Sequence, residues 1–248
     1  MSAKVYQLQK DAFGNADQTI PTKPVDNLRI VCMSDTHGTT KFNFQVPDGD
    51  ILVHAGDITR ISNLQEFSNF INWMSSLPHS VKIVIAGNHD TVLDPDFRYL
   101  EERRKILDGF RQHDIIYLQN TGYRLPESLG GYLIYGSPYA PFHIGGAFMP
   151  YDLSDVWKTV PFDTDILVTH TPPYGIQDTT RRGQNVGCEH LLKKIKEIKP
   201  KVCIFGHIHE AYGVHKEDGT VYINACTSNS RYKATQLPVV VDLPKFRD

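Results

Sequence analysis

The sequence predicts a single α/β domain, and three observations support this fold class. Several short apolar runs rich in β-branched residues are typical of buried strands. Between them, longer segments repeat apolar residues every three or four positions, which is the period of an amphipathic helix. The chain has 248 residues, of which 40% are hydrophobic. That length supports one well-buried core and is short for two.

Charge and composition limit the classes of partner. The net charge of −2 and the pI near 6.6 give no general attraction to polyanions, so no extended nucleic-acid surface is expected. No apolar run approaches the ~18 residues of a membrane span, and the N-terminus is too polar for a secretory signal. We therefore expect an intracellular, cytoplasmic protein that does not bind membranes. The four cysteines are too few and too scattered for a disulfide framework, and we assign them no chemistry.

The N-terminal region differs from the rest of the chain. Residues 1–27 show little periodicity and contain Pro21 and Pro24. We predict an N-terminal arm there, either extended over the domain or partly disordered. The folded domain is predicted to span residues 28–248.

Strands and helices alternate through the first half of that domain. Ser62 and Gln65 have the spacing of a capping box, so a helix is predicted to begin there and to end by Pro78. The other elements predicted in this half are strands at residues 30–33, 51–55, 81–86 and 115–118, and a helix over about residues 96–110.

The second half begins with a predicted antiparallel hairpin around Gly130 and Gly131. A Pro- and aromatic-rich loop over residues 137–150 follows and could wall a pocket. The remaining predicted elements are strands at 166–169, 202–205, near Val214, at 221–223 and at 239–241, a loop over 171–187, and a helix over 188–198 whose exposed basic face carries Lys193, Lys194 and Lys196.

Five of the predicted strands end in side chains that can bind metals. Taken alone, the run Asn88-His89-Asp90 after Gly87 is typical of a polar turn before a helix. The same pattern recurs after four other strands, at the edge where α/β folds place their sites. The residues concerned are Asp35 and His37, Asp57, Asn88 with His89 and Asp90, His170, and His207 with His209.

These motifs resemble those of the calcineurin-like metallophosphoesterases, and the resemblance extends over nearly everything from Leu28 onward. The matching motifs are Asp35-x-His37, Gly56-Asp57, Gly87-Asn88-His89-Asp90, a lone His170 after a strand, and Gly206-His207-x-His209. The connecting segments further resemble the subgroup of metallophosphoesterase-domain-containing proteins. The resemblance implies a four-layer αββα sandwich, in which two mixed β-sheets pack face to face between outer helices, and makes residues 28–248 the catalytic domain.

The resemblance also implies a centre of two metal ions. It assigns Asp35, His37, Asp57 and His209 to one ion, and Asp57, Asn88, His170 and His207 to the other. A carboxylate suits the shared position, because its two oxygens can serve two cations about 3.5–4 Å apart. Nitrogen and oxygen ligands without a thiolate suit divalent or mixed-valence Mn, Fe, Zn or Co, and family resemblance favours Mn.

The activity implied is hydrolysis of small phosphodiesters, with cyclic nucleotides as the favoured substrates. Hydroxide held between the metals would attack phosphorus, and His89, beside the ligand Asn88, would protonate the leaving alkoxide. His89 could instead only support neighbouring ligands. The remaining histidines are expected to be structural, namely His54, His79, His113, His143, His190 and His215.

Other functions remain open on the same residues. They are a phosphomonoesterase, a nuclease, or a non-enzymatic nucleotide-binding scaffold. The slightly acidic net charge disfavours the nuclease, and the complete set of ligands disfavours the scaffold. After Asp57 the chain continues Ile58-Thr59-Arg60, without the second Asp and the Arg-Gly of the phosphoprotein phosphatases, which argues against a protein phosphatase.

Overall fold

The computed structural model describes residues 3–10, 16–17, 19–143 and 145–245. The strands are β1 (Lys4–Gln7), β2 (Gln9–Lys10), β3 (Ala16–Asp17), β4 (Asn27–Met33), β5 (Ile51–Ala55), β6 (Val81–Ile85), β7 (Ile115–Tyr117), β8 (Thr121–Arg124), β9 (Leu133–Ser137), β10 (Ile166–Thr169), β11 (Val202–Phe205), β12 (Gly213–Glu217), β13 (Thr220–Asn224) and β14 (Val239–Pro244). The α-helices are α1 (Leu64–Ser75), α2 (Leu100–Gln112), α3 (Ser154–Lys158) and α4 (Glu189–Ile198). None of the helices in these ranges combines the length and the apolar character needed to cross a membrane.

Two six-stranded mixed sheets form the centre of the fold. The first has the order β1-β14-β4-β5-β6-β7, with β4 to β7 parallel to one another and β14 antiparallel to both of its neighbours, β1 and β4. The second has the order β12-β13-β11-β10-β9-β8, with β12 and β8 antiparallel at its edges. The short pair β2 and β3 lies apart from both.

Alternating side chains place the two sheets face to face. In β5, Ile51 and Val53 belong to a buried cluster shared with the second sheet, whereas Leu52 packs in the cluster that includes residues of α1 and α2. In β11, Ile204 faces the first sheet, and Cys203 packs with residues of α3 and α4. This two-residue period gives each strand two buried faces. The predicted four-layer αββα sandwich is confirmed.

The N-cap of the first helix, α1, lies one residue later in the chain than predicted. Asn63 is the N-cap, and its side-chain oxygen accepts the backbone N–H of Glu66 at 2.9 Å. Ser62 has a left-handed φ of 57° and its hydroxyl accepts the backbone N–H of Val92. The capping box assigned to Ser62 and Gln65 was therefore wrong, because Ser62 connects to another loop instead of capping the helix.

The other helices differ from prediction in the start of α2, in the presence of α3 and in the burial of Lys194, all of which depend on tertiary packing. A helix was predicted from about residue 96, but Pro95–Phe97 forms a single 3-10 turn and Arg98 is left-handed, so α2 starts at Leu100. Helix α3 was not predicted. Lys194 was predicted to be exposed but is buried, with its ammonium 4.4 Å from the centre of the Phe162 ring, because its stem follows the apolar face of α4.

Part of the region predicted as an N-terminal arm lies at the edge of the first sheet. Strand β1 pairs antiparallel with β14, for example Val5 with Val241. Residues 1–2, 11–15 and 18 fall outside the described ranges. The boundary between residues 27 and 28 stays a prediction.

Candidate metal centre

The predicted ligands follow strands of both sheets and converge at one edge of the sandwich. This convergence arises because parallel strands present their carboxyl ends on the same side. The positions are Asp35 and His37 after β4, Asp57 after β5, Asn88 and His89 after β6, His170 after β10, and His207 and His209 after β11.

One group of potential metal ligands consists of Asp35, His37 and His209. A ligand atom from each lies within 4.8 Å of the others, and all three residues are buried. The Nε2 atoms of His37 and His209 are 3.1 Å apart, and His209 Nε2 is 3.3 Å from Asp35 Oδ1. Three side chains predicted to share one ion are thus together.

A second group consists of Asp57, His170 and His207, whose ligand atoms also lie within 4.8 Å of one another. His170 Nε2 is 3.4 Å from Asp57 Oδ1 and 3.0 Å from Asn88 Oδ1. The other carboxylate oxygen, Asp57 Oδ2, is 3.8 Å from His37 Nε2 in the first group. Asp57 therefore presents a different oxygen to each group, which is the geometry a bridging carboxylate requires.

The hydrogen bonding of His170 tests whether a cation fits the second group. His170 Nδ1 is 3.0 Å from the carbonyl oxygen of Ala55, and because a carbonyl only accepts, this nitrogen carries the proton. The other nitrogen, Nε2, points at the oxygens of Asn88 and Asp57, and it would offer its lone pair to a metal ion once it has lost its own proton. An imidazole nitrogen aimed at two oxygen acceptors is stabilised by a positive charge between them, which a proton or a metal ion can supply.

The first group has the same arrangement around His209. Its Nδ1 donates to the carbonyl oxygen of Asn229 at 3.0 Å, so Nε2 is the nitrogen left to bind a metal ion. That nitrogen faces His37 Nε2 and Asp35 Oδ1. Both groups therefore fit a metal ion by the chemistry and orientation of their donor atoms.

Electrostatics agree with this donor set. Burial lowers the pKa of His37 to about 4 and that of His207 to about 3, so both rings are neutral near pH 7 and able to bind a cation. Burial also opposes a charge on His170, yet the facing carboxylate of Asp57 raises the pKa of His170 to about 9. The carboxylates thus favour a positive charge at this position, which a metal ion would supply.

Backbone conformation at the site is unusual and depends on close packing. Asp35, Asp57 and His207 have left-handed φ angles of 52°, 52° and 69°, a conformation that costs energy in residues with a side chain and that clusters at functional sites. Gly87 packs directly against Asp57 and His170. A Cβ atom at this position would lie 2.3 Å from Asp57 Oδ1 and 2.6 Å from His170 Cε1. Only glycine fits this position without displacing the two groups.

Asp90 joins the loops that carry the predicted ligands of the second group. Its fully buried carboxylate accepts the backbone N–H groups of Gly87, Ile58 and Thr59 and the hydroxyl of Thr59. Burial, and after it the nearby Asp57, raises the pKa of Asp90 to about 6. The sequence motif contains Asp90, but only the structure shows that it ties the loop after β5 to the loop after β6.

Cys226 is a neighbour of the site that sequence reasoning missed. All four cysteines are free and buried. The Cys226 thiol donates to Asp35 Oδ2 at 3.1 Å, and the backbone N–H of His207 donates to the same oxygen at 3.0 Å. The same N–H also lies 3.2 Å from Oδ1, the oxygen that faces His209, so the thiol and the amide together fix the orientation of the Asp35 carboxylate. No local signal could have revealed a contact between residues 191 positions apart.

His89 lies between the two groups and the solvent. Its backbone N–H donates to Asp57 Oδ1 at 2.9 Å, and its Nδ1 donates to the carbonyl oxygen of Arg60 at 3.0 Å. Its ring centre is 4.7 Å from that of His37. With Asp57 and His37 it forms a third set of potential ligand atoms within 4.8 Å, so the imidazole of His89 lies next to the predicted metal positions.

A cleft of about 630 Å³ opens over these groups. The loop predicted to wall a pocket does so, since His143 and Gly145 line the cleft. His143 was expected to be structural only, but it is exposed at this wall. Sequence reasoning also assigned no site role to the other polar lining residues, among them Arg60, Thr91, Thr180, Arg181, Glu210, Ser230 and Tyr232.

Comparison with known proteins identifies the family. Residues 28–211 match the sequence model described as calcineurin-like phosphoesterase. The chain belongs to this family. It is 37% identical over 246 residues to metallophosphoesterase domain-containing protein 1 of Homo sapiens, covering 91% of this chain and 74% of that protein. It is also 37% identical to UPF0046 protein K07C11.7 of Caenorhabditis elegans, covering 96% of this chain and 82% of that protein.

A solved crystal structure supports the fold of this calcineurin-like phosphoesterase. It matches with a TM-score of 0.61 at 15% sequence identity, over 80% of this chain and 90% of that chain. At such low identity the match supports the fold alone. Family membership and the two His/Asp groups together support a metal-dependent phosphoester hydrolase.

Proposed function

We propose that this protein is a dinuclear metal-dependent phosphodiesterase that hydrolyses small esters, with cyclic nucleotides as its substrates and Mn²⁺ in both sites. The observation that carries the proposal is the position of Asp57, which offers one oxygen to His170 and the other to His37. A carboxylate shared in this way supports two cations at the spacing that phosphoryl transfer uses.

Charge favours an anionic substrate at this centre. Two divalent cations would exceed the negative charge of Asp35 and Asp57, the two carboxylates among the predicted ligands. The guanidinium-bearing residues Arg60 and Arg181 add positive charge along the cleft. Its volume of about 630 Å³ lies within the range of small-molecule sites. A mononucleotide ester therefore suits the cleft in both charge and size.

The roles of the protein groups follow from their hydrogen bonds. When bound, the two ions would supply a nucleophile from water and offset charge on the phosphoryl oxygens. Asp57 would bind both ions, one through each oxygen, and so fix the distance between them. Asn88 presents its amide oxygen beside His170. His89 keeps Nδ1–H on the Arg60 carbonyl, which leaves Nε2 as the atom that can give a proton to the leaving alkoxide.

The alternatives differ in substrate and not in site. A phosphomonoesterase or a nuclease would use the same ligands, and a scaffold would bind a nucleotide without turning it over. The net charge of −2 gives weak attraction to a long polyanion, which disfavours the nuclease. The complete donor set around both groups disfavours the scaffold, because binding alone does not require it.

The test is a substrate panel with Mn²⁺-loaded protein. The panel contains bis(4-nitrophenyl) phosphate, 4-nitrophenyl phosphate, the 2′,3′- and 3′,5′-cyclic monophosphates of adenosine, and single-stranded DNA. We expect turnover of the diesters and of at least one cyclic nucleotide, with far less activity on the monoester and on DNA. Preference for the monoester would establish the phosphomonoesterase, and full metal content without turnover of any compound would establish the scaffold.

Asp57→Asn provides the matched test of the metal centre. The substitution removes the charge of the shared carboxylate, so we expect loss of bound metal and of activity on every substrate together. Asp218→Asn is the control, because Asp218 is an exposed residue in the turn between β12 and β13. Retention of two metal ions per chain by Asp57→Asn, measured by elemental analysis, would contradict the bridging role.

A further inference from the structure

We infer that Arg60 and Tyr232 form a stacking platform that holds the planar base of the substrate. The inference rests on the proposed function and names the residues by which the site would distinguish a nucleotide from other small phosphate esters. It concerns the part of the substrate that lies away from the reacting phosphorus.

The platform consists of two planar groups at the cleft. The guanidinium carbon of Arg60 lies 5.4 Å from the centre of the Tyr232 ring, within the range of a cation–π contact. Both residues line the cleft above the metal groups. Arg60 is exposed, and 43% of the surface of Tyr232 is accessible. A ligand in the cleft can therefore reach this pair.

The platform is fixed next to the predicted ligands. The Tyr232 ring centre lies 4.8 Å from that of His37 and 5.2 Å from that of His209. The Arg60 backbone is held at both ends, since its N–H donates to Glu66 Oε1 at 3.1 Å and its carbonyl oxygen accepts from His89 Nδ1. A phosphate ester bound at the metals would place its organic group within reach of these two side chains.

The Arg60 guanidinium is also not committed to a carboxylate. Arginine side chains form ion pairs at three positions in the described ranges, namely Arg29, Arg111 and Arg124. An exposed guanidinium without an ionic partner and stacked on a phenol ring can stack on a nucleobase. Such stacking requires a flat π-system on the ligand and no particular hydrogen-bonding pattern, so the platform would accept different bases.

A direct contact between Arg60 and the phosphate is the competing explanation, and matched substrates separate the two. Adenosine 2′,3′-cyclic phosphate and glycerol 1,2-cyclic phosphate carry the same five-membered cyclic diester, but only the first carries a base. The variants are Arg60→Ala, Arg60→Lys and Tyr232→Leu. Arg104→Ala is the control, because Arg104 is an exposed arginine of α2 that does not line the cleft.

With Mn²⁺-loaded protein, we expect Arg60→Ala and Tyr232→Leu to raise the KM of the adenosine substrate about tenfold, as loss of base stacking predicts. The kcat/KM of the glycerol substrate should match the wild type in Tyr232→Leu and in Arg60→Lys, which keeps the positive charge, and both substrates should match the wild type in Arg104→Ala. Arg60→Ala also removes a positive charge from the cleft, so it should lower the glycerol value, but by less than the adenosine value. On the adenosine substrate, Arg60→Lys should resemble Arg60→Ala, because lysine keeps the charge and loses the plane. Equal losses on both substrates, or no loss on either, would overturn the platform.

Calorimetry keeps the inference testable if the proposed activity fails. Mn²⁺-loaded wild type should bind adenosine 5′-monophosphate about tenfold more tightly than ribose 5-phosphate, and Arg60→Ala and Tyr232→Leu should abolish that difference. Binding of both phosphates with equal affinity by the wild type would refute the platform whether or not any ester is hydrolysed. A base-dependent difference without turnover would refute the enzyme and leave the platform standing.

Discussion

Gly87→Ala adds a single methyl group where the loop after β6 passes close to Asp57 and His170. In the structure, that methyl carbon would lie 2.3 Å from Asp57 Oδ1, 2.4 Å from the Asp57 backbone nitrogen and 2.6 Å from His170 Cε1. Side-chain rotation could relieve the first contact. It cannot relieve the second, because the backbone nitrogen moves only with the whole loop after β5.

The expected cost follows from the size of these overlaps. Ordinary contacts of a Cβ atom begin near 3.4 Å, so Asp57 and His170 must move by about 1 Å, and displacements of that size in a catalytic group cost about 10²-fold in rate. Overpacking of this kind typically destabilises by about 1–3 kcal/mol. For a chain of this length, that corresponds to a Tm lower by roughly 3–10 °C.

Metal content, Tm and kcat/KM on bis(4-nitrophenyl) phosphate test this reasoning. The control is Gly219→Ala, which places a side chain at a φ of +84° with nothing within 4 Å of its Cβ. That change should cost about 1–2 kcal/mol through backbone strain, a loss of stability similar to that of Gly87→Ala, and should leave activity unchanged. If Gly87→Ala kept the metal content and the kcat/KM of Gly219→Ala, the argument from close approach would be refuted.

Three further predictions follow from individual side chains. His89→Ala should keep its metals but lower kcat by about 10²–10⁴ for esters with alkoxide leaving groups, with much smaller losses for nitrophenyl esters; equal losses would show that His89 orients groups and donates no proton. Cys226→Ala should weaken metal binding by about 10–100-fold, because Asp35 loses the thiol donor, and Cys226→Ser should retain affinity; a chelator competition that ranks both variants with the wild type would exclude this role. Burial lowers the pKa of His54 from 6.5 to about 3, so the folded state binds fewer protons than the unfolded state, and the free energy of unfolding should fall as the pH drops from about 6.5 toward 3. Urea unfolding at several pH values should show that the free energy of unfolding falls less steeply with decreasing pH in His54→Gln than in the wild type. The same pH dependence in both proteins would contradict this role of His54.

Much of the fold could be predicted because it depends on local patterns. The run of residues 81–85 is apolar at four of five positions and was predicted as a strand, which the structure confirms as β6. Gly87, Asn88 and His89 follow it directly, so their place at a strand end was also visible in the sequence. The sequence pattern could not locate the start of α1, because Ser62 and Asn63 are neighbours and both residue types are favoured at an N-cap. The structure shows that Asn63 is the N-cap.

The amino-acid sequence by itself determined which side chains are available and which strand each one follows. Only the tertiary structure decided their relations across the chain, such as the two oxygens of Asp57 facing different groups and the thiol of Cys226 on Asp35. The platform of Arg60 and Tyr232 likewise joins residues 172 positions apart. The physical reason is that periodicity and turn chemistry act between near neighbours in the chain, whereas contacts between distant loops depend on how the two sheets pack against each other.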